Sequence, residues 1–336
     1  MSSASPSPEE IARDATWLAQ ALDPANATAR LVRMDREAYR AASFLDDRMH
    51  QQPLDARVVE WQRVRGAVAI ETRTDARWIF HIGHVGSTLV ARLLGELPQV
   101  LAVREPRFLR DIATLSNDDR ADFTFAARAL FSRTFAQDEL ALVKATSFVS
   151  EIADELVTAG ERALFLYAAP RAYVASILAG ENSVRELAIL APLRAERLSG
   201  RARFPKPRNT AEAAATAWAC EMIGLEAAAE RMEGRHVLWA DFDRMLENMT
   251  NELNGIAQYF GFDAPADRLH AIATGPLTRR YSKALEYDYT PELRRELIAE
   301  TDAANRKDID GALAMLERAA EKSPLLARAL GRAKES

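Results

Sequence analysis

Trp78-Ile79-Phe80-His81-Ile82-Gly83-His84-Val85-Gly86-Ser87-Thr88-Leu89-Val90-Ala91-Arg92-Leu93-Leu94 decides the fold. It reads as an apolar strand, a short glycine loop with two hydroxyls, and a helix whose Leu89, Leu93, Leu94 and Leu97 recur at helical spacing. A tight loop feeding a helix start aims unpaired backbone N–H groups and the positive dipole end at one point, so the segment is an anion cradle. Gly83 and Gly86 allow the sharp turn and a close approach to a bulky phosphate-like group. Ser87 and Thr88 add hydroxyl donors. The ATP or GTP version of such a loop ends Gly-Lys-Ser/Thr, with the lysine on the outer phosphates. Here Gly86 is followed directly by Ser87 and Thr88, and no lysine lies between Val58 and Val143. That argues against an ordinary nucleotide hydrolase and leaves His84 as the loop's cation.

Outward from the loop, short β-rich runs alternate with helical segments, the pattern of a parallel sheet covered on both faces. The strands expected are Trp78 to Ile82, Val100 to Val103, Ala141 to Lys144, Ala163 to Tyr167 and Val237 to Ala240. Five such runs specify an α/β chain with a three-layer P-loop fold. Before them, residues 1–70 read as a helical segment packed on the core. Its helices run from Glu9 to Leu22, Asp35 to Met49 and Leu54 to Arg65, separated by Asp23-Pro24-Ala25-Asn26 and Gln51-Gln52-Pro53. A long helical insertion from Arg171 to Gly234 is interrupted by the basic, proline-punctuated run 200–209, and Asn209 with Glu212 forms a capping box for the helix ending near Gly234. Gly275-Pro276 opens a second loop to Tyr289, and Thr290-Pro291 restarts helix. The main domain spans 71–305, with a charged helical tail over 306–336.

The 336 residues, 48% apolar, are ample for a core, and no run approaches a membrane span. The polar, acidic N-terminus resembles neither a secretory nor a transit peptide. One cysteine, Cys220, excludes an intrachain disulfide and suits a reducing cytoplasm, while five scattered histidines offer no zinc spacing. A net charge of −5 and pI near 5.7 give no general reason to expect nucleic acid or an anionic membrane as partner. Any basic function is local.

His84-Val85-Gly86-Ser87-Thr88 resembles the 5′-phosphosulfate loop of the sulfotransferases, which transfer a sulfuryl group from 3′-phosphoadenosine 5′-phosphosulfate (PAPS) to a hydroxyl or amine. The resemblance implies that Gly83, His84, Val85, Gly86, Ser87 and Thr88 surround the phosphosulfate. With His84 where the family has a fixed cation, donor affinity is expected to fall as pH rises through about 6.5. Sulfuryl transfer is an in-line displacement governed by positioning and charge stabilisation, and its singly charged group has little need of magnesium, so no metal is expected.

Three strand ends carry further residues. Glu105, in Arg104-Glu105-Pro106-Arg107, lies 19 residues after Gly86 at the ligand edge of the sheet. It is similar to the base of tyrosylprotein and related bacterial sulfotransferases, with Arg107 as the following arginine. Two flanking arginines should lower its pKa, and a salt-bridged strand-end glutamate is the alternative. Lys144 resembles the lysine that steadies the leaving phosphate, without the histidine that follows it in cytosolic sulfotransferases. An ordinary lysine closing a strand is the other reading. In Ala168-Ala169-Pro170-Arg171, followed by Ser176, Arg171 and Ser176 match the 3′-phosphate motif, but its leading arginine is Ala168. A late basic loop, 277–283, offers Arg280 and Lys283 over that phosphate, or reads as a basic surface loop.

The leading expectation is therefore a cytoplasmic PAPS-dependent sulfotransferase acting on a small-molecule or peptide acceptor, with Glu105 as base. An atypical P-loop kinase and a catalytically degenerate anion-binding protein are the alternatives. Neither acceptor nor oligomeric state is encoded in a motif.

Overall fold

The computed structural model describes residues 5–335 except 52, 70–72, 159, 233–235 and 285. Three N-terminal strands, β1 (Trp17–Asp23), β2 (Thr28–Arg33) and β3 (Ala56–Glu60), form an antiparallel meander. Five more, β4 (Arg77–His81), β5 (Val100–Arg104), β6 (Leu140–Lys144), β7 (Arg162–Tyr167) and β8 (His236–Asp241), form a parallel sheet in the order β5-β6-β4-β7-β8. Each lies within a residue or two of the run expected from sequence. Such apolar runs persist because helices cover both faces. Ser87–Leu94 and Met249–Phe260 pack on one side, and Asn117–Ser132 and Thr210–Arg231 on the other. Trp78, Phe80, Phe165 and Trp218 are fully enclosed between them.

The N-terminal segment departs from expectation, being a β-meander with short helices where three long helices were read. Leu18, Ala19 and Leu22 suit either period, and tertiary packing decides. Asp23 closes the β1–β2 turn by accepting from the Asn26 N–H at 3.1 Å, with Ala27 at φ 48°. The β1–β2 register shifts between Ala19 and Ala21, and Leu18, Ala19, Gln20 and Leu22 are buried. The Leu22 N–H donates to Asp111 at 2.9 Å, tying the meander to the helix Arg107–Ala113. The expected boundary at residue 70 lies outside the described residues.

Elsewhere the punctuation holds. Asn209 accepts from the Glu212 N–H at 2.9 Å, while the Glu212 carboxylate turns to the Arg208 N–H rather than completing the box. The helix it starts ends at Arg231, and Gly234 lies outside the described residues. Thr290 caps Pro291–Ala304. The expected tail forms the helices Arg306–Ala320 and Pro324–Glu335, which bury Ile309, Leu316 and Leu326 against Thr210–Arg231. It is part of the core.

The sheet order matters for function. Leaving β4, the chain skips over β6 to form β5, and later returns to β4's other side as β7. That switch opens a crevice at the C-terminal strand ends, where open α/β sheets take ligands.

Candidate active site

The glycine loop leaves β4 with three left-handed residues within four positions: φ is 80° at Gly83, 55° at His84 and 62° at Gly86. Gly86 precedes the helix Ser87–Leu94 in left-handed conformation, and a Cβ there would lie 2.0 Å from two ring carbons of Phe242. The Gly83 N–H donates to His81 Nδ1 at 2.9 Å, which places the proton of a neutral imidazole on Nε2. Ser87 and Thr88 are buried, and the Thr88 hydroxyl has no hydrogen-bond partner among the described residues. A buried unpaired hydroxyl is costly unless a ligand completes it.

Beside the loop, β5 and β6 deliver a charge cluster. Arg104 pairs in register with Lys144, and the Glu105 N–H donates to the Lys144 carbonyl at 2.7 Å. Glu105 sits at φ 52°, left-handed for a residue that carries a side chain. One carboxylate oxygen accepts from the Lys144 ammonium and the other from Arg48 at 3.1 Å, with His81 Nε2 3.9 Å from the first. Burial opposes the Glu105 charge, but Lys144 and then Arg48 hold its carboxyl below the ordinary range. Burial pushes the Lys144 ammonium down to about 8 against the pull of Glu105. Burial, with Lys144 and Lys283 nearby, also holds His81 well below its usual value, so it is neutral.

The two arginines next to Glu105 in sequence play no part in that cluster. Arg104 turns back to the carbonyls of Tyr39, Arg40 and Ala42. Arg107, the expected catalytic arginine, is bound to Asp47 at 2.8 Å and Asp111 at 3.2 Å and does not line the cleft. The arginine that reaches Glu105 is Arg48. It comes from the N-terminal segment and lies over the Phe44 ring at 3.2 Å. No motif marks it, since only the fold brings it 57 residues along the chain to Glu105.

Around these groups is a cleft of about 560 Å³. Of the expected binding residues, Gly83, His84, Gly86, Ser87, Thr88, Ser176, Arg280 and Lys283 line it, together with Glu105 and Lys144. Val85 is buried behind the loop, and Arg171 lies outside the lining. Arg171 is held by Asp302 at 2.6 Å and by Asp310, and the Ser176 hydroxyl donates to the Tyr173 carbonyl at 2.8 Å. His84 corrects its expected role as a titrating cation. Burial, followed by Lys283, Arg194 and Arg294, pushes it down to about 3, so it is neutral and sits 3.4 Å from Ser183 and 3.7 Å from Glu186. The loop's positive charge instead arrives from across the cleft.

Six cationic side chains face the cleft, Arg48, Arg110, Lys144, Arg280, Lys283 and Arg294, against Asp46, Glu105 and Glu186. A net-acidic chain has thus collected positive charge here. Among the described residues Lys283 is the cleft cation without a salt bridge; Arg110 is on Asp47, Arg280 on Asp288 at 2.8 Å and Arg294 on Asp243 at 3.0 Å. The buried Arg92 of the loop helix fixes this arrangement. It donates to the Ser282 carbonyl at 2.9 Å and to Ser43 at 2.7 Å, fastening the late basic loop and the N-terminal segment to one helix. Among the described residues no cluster of His, Cys, Asp or Glu could hold a metal ion, and no helix is long and apolar enough to cross a membrane.

A parallel sheet with a glycine cradle at its switch point and a buried Glu–Lys pair beside it defines an α/β domain of the phosphate-loop class. Among solved structures the chain is similar to the sulfotransferase domain from the curacin biosynthetic pathway, at 12% identity and TM-score 0.40, over 68% of this chain and 91% of that one. It is also similar to mouse sulfotransferase SULT7A1 complexed with PAP, at 11% identity and TM-score 0.40, over 79% of this chain and 92% of that one. No family model and no curated protein matches it.

Proposed function

We propose that this chain transfers a sulfuryl group from a nucleoside phosphosulfate to a hydroxyl or amine. The observation that carries the reading is the meeting, in one cleft, of a glycine loop with an unpaired Thr88 hydroxyl and the buried Glu105–Lys144 pair. The loop N–H groups, Thr88 and Lys283 hold the anionic end of the donor. Glu105, kept ionised by Lys144 and Arg48, accepts the acceptor's proton as its oxygen or nitrogen bonds to sulfur. The bond from sulfur to the bridging oxygen breaks, and that oxygen leaves on the nucleotide phosphate with its electron pair. In this reading the Lys144 ammonium, paired with Glu105, passes to the leaving oxygen. Charge is then stabilised where it develops.

PAPS as donor meets this site unequally. The phosphosulfate end fits the unpaired Thr88 hydroxyl and the loop, whereas Arg171, the residue expected at the 3′-phosphate, is committed to Asp302 and Asp310. The test is thermal stabilisation by adenosine 5′-phosphosulfate and PAPS without magnesium, beside ATP with magnesium. Stabilisation by a phosphosulfate, weakened in Lys283→Met, supports the reading. A shift with ATP and magnesium alone sinks it in favour of a kinase.

A further inference from the structure

We infer that His81 selects a hydroxyl over an amine as the acceptor, by donating from Nε2 to the same oxygen whose proton passes to Glu105. This deepens the transfer reading above and rests on it.

His81 ends β4, two residues before Gly83, and lines the cleft although only 5% of its surface is exposed. The Gly83 N–H donates to its Nδ1 at 2.9 Å, so the neutral ring carries its proton on Nε2. Burial, with Lys144 and Lys283 nearby, opposes a second proton. Among the described residues that Nε2–H has no hydrogen-bond partner. The Ala145 carbonyl pulls on the ring without hydrogen-bond geometry at Nε2, and Glu105 Oε1, at 3.9 Å, is too far to accept directly. A buried N–H left in this state is costly unless a ligand completes it.

The gap between Nε2 and Oε1 has the dimension of one bridging atom. An oxygen about 2.8 Å from each would be within hydrogen-bond reach of both. Oε1 accepts from Lys144 and has a further lone pair for such a partner. A hydroxyl has one proton and two lone pairs. It gives the proton to Oε1, takes the His81 N–H on one pair and keeps the other for sulfur. A neutral amine has a single lone pair. If that pair accepts from His81 it is lost to the attack, and if it faces sulfur the His81 N–H has nothing to donate to. A site that hydrogen-bonds a substrate hydroxyl rejects the analogue that leaves its buried donor unpaired.

The same contact answers a weakness in the base. Lys144 and Arg48 hold the Glu105 carboxyl below the ordinary range, which makes it a poor proton acceptor. A donor aimed at the acceptor oxygen stabilises the negative charge that develops there as the proton leaves. In the step, the hydroxyl proton goes to Glu105 and the oxygen's free pair forms the bond to sulfur. The bond from sulfur to the bridging oxygen breaks, its electron pair staying on the nucleotide phosphate. His81 keeps its own proton throughout.

Transfer of ³⁵S from labelled adenosine 5′-phosphosulfate or PAPS to pairs that differ only in the attacking atom, 2-naphthol with 2-naphthylamine and phenol with aniline, tests this. Wild type should favour the hydroxyl of each pair by about tenfold or more in kcat/KM. In His81→Asn the amide oxygen can stand in for Nδ1 on the Gly83 N–H, but no donor reaches the Nε2 position; in His81→Gln one does. His81→Asn should lower kcat for the hydroxyls by about a hundredfold with KM nearly unchanged, leave the amines within about threefold, and so erase the preference. His81→Gln should recover about tenfold or more of that loss. Amines used as well as hydroxyls by wild type, or an equal loss for both in His81→Asn, would overturn the inference and leave the transfer reading standing. Absence of label in every pair removes both. Should His81→Asn fail to fold, the wild-type preference and its retention in His81→Gln make the same decision.

Discussion

Replacing Thr88 by valine separates a binding role from a structural one, because the two make opposite predictions. Valine has nearly the shape of threonine and lacks only the hydroxyl, which is buried with no partner among the described residues. An unpaired buried hydroxyl costs the folded protein about 1–3 kcal/mol of desolvation, so in the absence of ligand Thr88→Val should be as stable as wild type or more so. With donor present the sign reverses. A hydrogen bond from Thr88 to an anionic oxygen is worth about 1.5–3 kcal/mol, so the variant should lose about ten- to a hundredfold in nucleotide affinity. Urea unfolding of the unliganded protein gives the first quantity and calorimetric titration with adenosine 5′-phosphosulfate the second. Destabilisation of the unliganded variant by more than about 1 kcal/mol would mean that the hydroxyl has a protein partner, and unchanged affinity would mean that it has no ligand.

Other consequences are equally open to measurement. Gly86→Ala combines left-handed strain with a Cβ 2.0 Å from the Phe242 ring, whereas Gly83→Ala, at φ 80°, meets nothing within 4 Å. The first should cost about 2–5 kcal/mol and the second about 1–2 in denaturant unfolding, and equal losses would refute the close approach of Phe242. His84 has a folded-state pKa of about 3 against 6.5 unfolded, so the unfolded chain binds the extra proton between those values. Its stabilising contribution is complete above pH 6.5 and is lost as pH falls toward about 3, by up to about 1.4 kcal/mol per pH unit. His84→Asn should flatten the stability profile by that slope, and parallel wild-type and variant profiles would contradict a neutral His84. Arg92→Met removes the tie to Ser282 and Ser43, so the Gly275–Tyr289 loop should be cleaved faster by trypsin at Arg279 or Arg280; unchanged cleavage would show that other contacts hold it.

The sheet and its loop were legible because their signals are local. Continuous apolar runs bounded by turns place β4 to β8, and a glycine loop before an amphipathic helix places the cradle whatever surrounds it. The N-terminal meander was not legible, since leucine- and alanine-rich runs such as 17–23 satisfy two periods and only the helix Arg107–Ala113 selects one. Long-range charge was equally hidden. Nothing near Arg107 in sequence says that Asp47 takes it, nothing near Arg171 points to Asp302 and Asp310, and Arg48 reaches Glu105 only through the folded N-terminal segment. His84 is the sharpest case. Its residue type promised a titrating cation, while burial beside three other cations makes it neutral, a property of surroundings that no motif records.

The central claim is that this cleft moves a sulfuryl group with Glu105 as base. Its most direct test is transfer of ³⁵S from labelled adenosine 5′-phosphosulfate or PAPS to a panel of phenolic, alcoholic, amine and tyrosyl-peptide acceptors without added magnesium, in wild type and Glu105→Gln. Labelled acceptor formed by wild type and reduced by about a hundredfold or more in the variant is the predicted result. Absence of labelled acceptor from either donor, or transfer undiminished by Glu105→Gln, would contradict it.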